Sequence, residues 1–186
     1  MRHTKRIAQL LGGLAVLGLA LPAAAHPGHA ATGFAAGFLH PLTGFDHLLA
    51  LLAVGLWSRQ QSHERLRGAV LPPVFLVLMA LGASTGLGAA LPALETSIAA
   101  TVLLLGVLAA CALRVPAALA VAAVSLCGFL HGLAHGMELA GVSSGAGFLI
   151  ASALVMAAGA LPGERMRRMA GAAIGAAGLV LLAAAV

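Results

Sequence analysis

Charge is scarce in this chain: Asp, Glu, Lys and Arg together make up 8% of its 186 residues. A soluble domain carries about 25%, so there is too little polar surface to cover this chain in water. Cysteine is scarcer still. Cys111 and Cys127 both stand inside apolar runs, which argues against a disulfide framework. There is no glycine-rich phosphate loop of the Walker type, which argues against direct ATP hydrolysis by this chain, and no H-E-x-x-H helix. Ser125, Ser143 and Ser144 stand in no nucleophile signature. The formal charge of +5 invites a nucleic-acid reading. That reading fails, because the basic residues are scattered at the ends of apolar runs and gather on no face.

What the chain has in excess is hydrocarbon. Hydrophobic residues are 61% of it, with a mean hydropathy of +1.06. Residues 1–25 read as a secretory signal: Arg2, Lys5 and Arg6 precede an apolar stretch from Ile7 to Leu21, and Ala23-Ala24-Ala25 offers a cleavage site. The competing reading is an uncleaved first membrane helix. Cleavage after Ala25 leaves a domain of residues 26–186 that begins His26-Pro27-Gly28-His29 on the outer side of the membrane. Six apolar segments follow, at about 33–57, 69–91, 97–113, 116–138, 143–161 and 169–186. Each is near or above the ~17–25 residues that cross a bilayer as helix. The expected fold is all-α: a polytopic bundle of six transmembrane helices after a cleavable signal peptide, with short connections and no soluble domain.

Basic residues give this arrangement a direction. Arg59, Arg65 and Arg67 follow the first segment, Arg114 the third, and Arg165, Arg167 and Arg168 the fifth. With an outside N-terminus and six crossings all of them fall on the cytoplasmic side, as the positive-inside rule asks. Trp57 then stands where an interfacial aromatic belongs. Gly128, Gly132 and Gly136, Gly82 and Gly86, and Gly171 and Gly175 recur every four residues. Small residues at that spacing let helices pack closely in lipid.

Ionisable groups in a membrane each cost at least ~2.5 kcal/mol at the centre, so those present need a reason. They are His40, Asp46, His47, Glu95, His131, His135 and Glu138. At the rise of an α-helix, His47 lies ~15 Å outward of Trp57 and His131 ~25 Å outward of Arg114. All of these groups thus converge between the middle of the membrane and its outer surface. In HGLAHGME, His131, His135 and Glu138 stand at i, i+4 and i+7, on one stripe of one helix. His40 and His47 are also seven apart, on a helix that Pro41 and Gly44 distort. A broken helix lining a polar cavity is a common way to build an ion site. Imidazoles with carboxylates and few sulfurs suit nickel, cobalt or zinc better than magnesium or calcium. A single membrane histidine is as well explained by a polar contact between helices; a set of such groups at one depth favours a shared site over that alternative.

The stretch HPLTGFDHLLALLAVGLW, residues 40–57, resembles the signature HPxxGxDHxxAMxxVGxW of the HupE/UreJ family of nickel/cobalt permeases. HGLAHGMEL, residues 131–139, is similar to that family's second motif, HGxAHGxE. The motifs fall in the expected order and the resemblance covers essentially the whole chain. One departure lies at Leu51, where the pattern has Met, apolar for apolar, with the loss of a thioether. The resemblance implies a secondary permease of a bacterial inner membrane, with both mature termini periplasmic and no permanently bound cofactor. Its partners are the transported divalent transition-metal ion and the lipid bilayer, with no nucleic acid and a homo-oligomer left open. Carried over residue by residue, its metal-handling positions are His40, Asp46, His47, His131, His135 and Glu138.

Weaker metal candidates are Glu95, by depth alone, and His26 and His29, which with a free amine would form a scavenging arm or be a cleavage-site remnant. Cys127 stands one turn from His131 and is a deep ligand or a packing residue. Met79, Met137 and Met156 read as lipid-facing or packing groups, and His63, Glu64 and Glu164 as solvated. The leading expectation is import of Ni²⁺, with Co²⁺ second. The alternatives are an intramembrane metal-dependent hydrolase and a haem-binding cytochrome, in which the buried carboxylates make little sense.

Overall fold

A computed structural model of the chain describes residues 31–61, 68–88, 91–136 and 139–186. Among these, seven helices occur: α1 (Phe34–Thr43), α2 (Phe45–Gln60), α3 (Leu71–Ser84), α4 (Leu94–Cys111), α5 (Ala117–His135), α6 (Val142–Ala160) and α7 (Glu164–Ala184). A two-residue parallel pair joins β1 (Ala31–Thr32) to β2 (Leu139–Ala140), in the register Ala31 to Leu139. It ties the chain entering α1 to the chain leaving α5. Gly33 and Gly141, at φ 88° and 89°, then start α1 and α6 in equivalent fashion, with a backbone that side-chain-bearing residues rarely adopt. The expected signal segment, His26, His29, His63, Glu64, Met137 and Glu138 lie outside the described residues.

Among the described residues four helices, α4 to α7, are long and apolar enough to cross a membrane, or five crossings result if α1 and α2 are one broken span. The first expected segment is therefore no single rod. It bends by 83° between α1 and α2. Pro41 has no N–H for the carbonyl a turn before it, and Gly44 leaves the helical region at ψ 110°. The Thr43 hydroxyl and the Gly44 N–H both donate to His40 O, at 2.8 and 3.4 Å, which satisfies the carbonyl at the break. The second segment also departs from expectation. The 14 residues of α3 rise about 21 Å, short of the ~30 Å hydrocarbon core. It stops where the Thr85 hydroxyl bonds back to Gly82 O and Gly86 turns to φ 65°. Pro72 and Pro73 stand in its first turn, where the missing N–H groups cost nothing.

Glycine sets the helix pairing. A Cβ on Gly128, Gly132 or Gly136 of α5 would meet the carbonyl oxygens of Phe75, Met79 and Ala83 respectively, at 2.5, 2.1 and 2.4 Å. The whole stripe is thus consumed by contact with α3. On the other side of the bundle Gly106 of α4 faces Gly175 of α7, and Gly171 and Gly178 continue that seam. Small residues substitute here for the hydrophobic driving force that is absent between helices in lipid. Of the expected pairs only Gly86 departs, having nothing within 4 Å of its Cβ position among the described residues.

Trp57 is fully buried rather than at an interface with lipid. Its indole N–H donates to Leu113 O at 2.9 Å, and Gln61 Nε2 donates to the same carbonyl at 2.5 Å. Gln60 Nε2 reaches Ala109 O at 2.9 Å. The end of α2 is thereby fastened to the end of α4 and the turn after it. Met79 and Met156 are buried in the core, so of the two readings packing is the one that holds. Glu164 is exposed and pairs with Arg167 at 3.0 Å.

Candidate metal path

Four imidazoles from three helices meet inside the bundle. His40 comes from the last turn of α1, His47 from the first turn of α2, and His131 and His135 from the last two turns of α5. The break at Gly44 allows the first two to approach from different directions, and the i, i+4 spacing presents the second two on one face. His131 Nδ1 lies 3.0 Å from His47 Nδ1, His135 Nε2 lies 2.8 Å from the same atom, and His135 Nδ1 lies 2.9 Å from His40 Nε2. The rings of His47 and His135 cross almost at right angles, with centroids 3.8 Å apart. His47 and His131 are 1% and 0% exposed, and His40 is half-buried at the outer end of the chain of contacts.

Aromatic side chains wall the cluster. Phe148 of α6 stands 5.2 to 5.8 Å from the rings of His135, His40 and His47, and Phe75 of α3 lies 5.9 Å from His131. The walls exclude water, so polar atoms here depend on one another. One is left over: His47 Nε2 is buried with no hydrogen-bond partner among the described residues. An unpaired buried polar atom costs on the order of 1–3 kcal/mol and calls for a reason.

Proton counting shows what the cluster is suited to. A neutral imidazole has one N–H and one lone pair. At His47 Nδ1 two other ring nitrogens converge, so either its one proton or its one lone pair has to serve both contacts. A divalent cation in that proton's place would draw on lone pairs from all three rings. Nitrogens bound to one ion at ~2.0–2.1 Å stand ~2.9–3.4 Å apart, and the observed separations of 2.8 and 3.0 Å need little expansion to reach that. Among the described residues no group of three or more His, Cys, Asp or Glu is already disposed around an ion-sized gap. The rings are closed on one another and must part to admit an ion.

The remaining expected residues are placed differently. Asp46 is half-buried in the first turn of α2, and its Oδ1 accepts from the His47 backbone N–H at 2.7 Å. This fixes a carboxylate one residue from the cluster, at the positive end of a helix dipole. Glu95 is exposed in the first turn of α4. Cys127 packs in the apolar core, one turn along α5 from His131. α5 ends at His135 with Gly136 as its cap, and Glu138 lies outside the described residues. Sequence reasoning overlooked Thr101, whose hydroxyl is buried 2.9 Å from His131 Nε2. A signal for it existed, since Thr101 is the only hydroxyl-bearing residue between Ser97 and Ser125. Phe75 and Phe148 carried no signal that separates them from ordinary core aromatics.

Comparison with known proteins identifies the family of the chain. The family model described as HupE / UreJ protein matches residues 14–186. A protein from Rhizobium leguminosarum bv. viciae, named Protein HupE, is 38% identical over 182 residues, covering 91% of this chain and 94% of its own length. No solved structure matches the chain.

Proposed function

The chain belongs to the HupE/UreJ family, and from that premise we propose that it is a secondary permease importing Ni²⁺, with Co²⁺ as the second candidate cargo. The observation that carries this reading is the buried chain of His40, His135, His47 and His131, whose ring nitrogens succeed one another at 2.8 to 3.0 Å. Such a row hands an ion from the half-buried His40 to the fully buried His131 while exchanging a few ligands at a time. Asp46 supplies negative charge beside it, and Glu138, carried by the second motif, is assigned the same role. Membership of this family goes with metal transport through membrane helices and not with catalysis.

Conduction needs a site that binds strongly enough to strip water and loosely enough to release the ion. Rings that are closed by mutual hydrogen bonds fit that need, because the energy of re-forming those bonds favours release. No ATP is required for the driving force: a divalent ion moving through ~100 mV gains ~4.6 kcal/mol, enough for roughly a thousandfold gradient. In the membrane we place the arginine-bearing ends at the cytoplasmic side of a bacterial inner membrane, with the bent α1–α2 pair and the short α3 counted as crossings and both mature termini periplasmic. The charge distribution supports that orientation. Residues 1–25 are read as a removable leader.

Uptake by proteoliposomes tests the function. Reconstituted protein with a potential negative inside should accumulate Ni²⁺ above empty vesicles. Stoichiometric retention of the metal with no flux would instead support the hydrolase alternative.

A further inference from the structure

Thr101 belongs to neither histidine motif, yet it touches the site from a further helix, α4. Its hydroxyl has a single proton to give. That proton goes to the Ile98 carbonyl, 2.7 Å away, since a carbonyl only accepts. At 2.9 Å from His131 Nε2 the hydroxyl oxygen is therefore the acceptor, and the ring's proton sits on Nε2. A neutral His131 then has its lone pair on Nδ1, the atom 3.0 Å from His47 Nδ1 at the centre of the cluster. Both partners are buried, Thr101 at 6% exposure and His131 at 0%, so water does not compete for the contact.

Resting on the permease reading above, we infer that Thr101 is a positioning residue for the transported ion: it holds His131 in the Nε2–H tautomer and so commits Nδ1 to the metal. The logic is that of any imidazole ligand whose second nitrogen is held by a partner, which fixes both the ring's orientation and the atom that binds. The Ile98 carbonyl completes the relay by orienting the hydroxyl. A threonine that bonds back to its own helix is common and by itself structural; the ring on the far side of the oxygen distinguishes this one.

The test compares Ni²⁺ binding and uptake by the full chain carrying T101V, T101S, H131A or the T101V/H131A pair. T101V should weaken Ni²⁺ binding about 10–100-fold, with the KM for uptake rising by the same factor, while T101S should stay within about threefold of the parent. With the ring removed there is nothing to orient, so T101V should add no further loss in the H131A background. Nickel affinity unchanged in T101V, or reduced by the same factor with and without His131, overturns the assignment. Should T101V fail to fold, histidine ¹⁵N spectra of the metal-free parent decide: Nε2-protonated His131 is expected, and the Nδ1-protonated tautomer refutes the inference. H131A that binds and transports Ni²⁺ like the parent sinks the permease path itself, whereas impaired H131A beside normal T101V sinks Thr101 alone.

Discussion

His47 Nδ1 lies 2.8 Å from His135 Nε2, joining residues 88 apart in sequence across the contact between α2 and α5. That contact is the centre of the cluster, because His131 reaches the same nitrogen at 3.0 Å. Substitution of His47 by Ala removes the atom on which both α5 imidazoles converge. Uptake of Ni²⁺ by H47A is expected to fall to the level of empty vesicles, with membrane insertion unchanged as judged by extraction and monodispersity. H135A should behave alike, since it separates His40 from the rest.

The α3–α5 seam predicts a steric contrast. A Cβ on Gly132 would lie 2.1 Å from Met79 O, which is backbone and cannot turn aside. G132A should therefore push α3 from α5, lowering stability by about 1–3 kcal/mol or more and reducing uptake through displacement of His131. In G145A the new methyl meets nothing within 4 Å among the described residues, so the unfolding temperature in detergent should equal or slightly exceed the parent's, as alanine favours a helix over glycine.

Trp57 makes its bond to Leu113 O from inside the core. W57F keeps most of the volume and gives up the N–H, at an expected cost of about 1 kcal/mol. W57A opens a cavity and should cost about 3–5 kcal/mol. Thermal unfolding of the two variants separates packing from hydrogen bonding, and equal losses would contradict the assignment.

Glu164 offers a negative control. Its carboxylate is about half exposed, although the Arg167 side chain is mostly buried, and a pair with one partner open to solvent contributes on the order of 1 kcal/mol. E164Q should leave both uptake and unfolding temperature near those of the parent; a large uptake defect would show that this carboxylate belongs to the path.

Much of this organisation could be read from residue spacing, and the exceptions have physical causes. The i, i+4 histidines of α5 were visible because a helix repeats every 3.6 residues, and the glycine stripes because close packing in lipid requires small side chains. The 83° bend was only half visible. Pro41 and Gly44 announced a distortion, but its size depends on the turn at Gly44, where the Thr43 hydroxyl and the Gly44 N–H both donate to His40 O. Trp57 was misread because hydropathy places a tryptophan near a helix end at the lipid surface, while the partner that buries it lies 56 residues away. Thr101 escaped for a related reason: one hydroxyl in an apolar helix gains meaning only when α4 packs where His131 can reach it.

The most direct measurement is X-ray absorption at the nickel edge on protein loaded with one equivalent of Ni²⁺, with the parent chain and H47A side by side. The parent should show the multiple-scattering pattern of at least two imidazoles at about 2.0–2.1 Å, lost or reduced in H47A. A nickel ion surrounded by oxygen alone, or a spectrum identical in the two proteins, would contradict transport through these histidines.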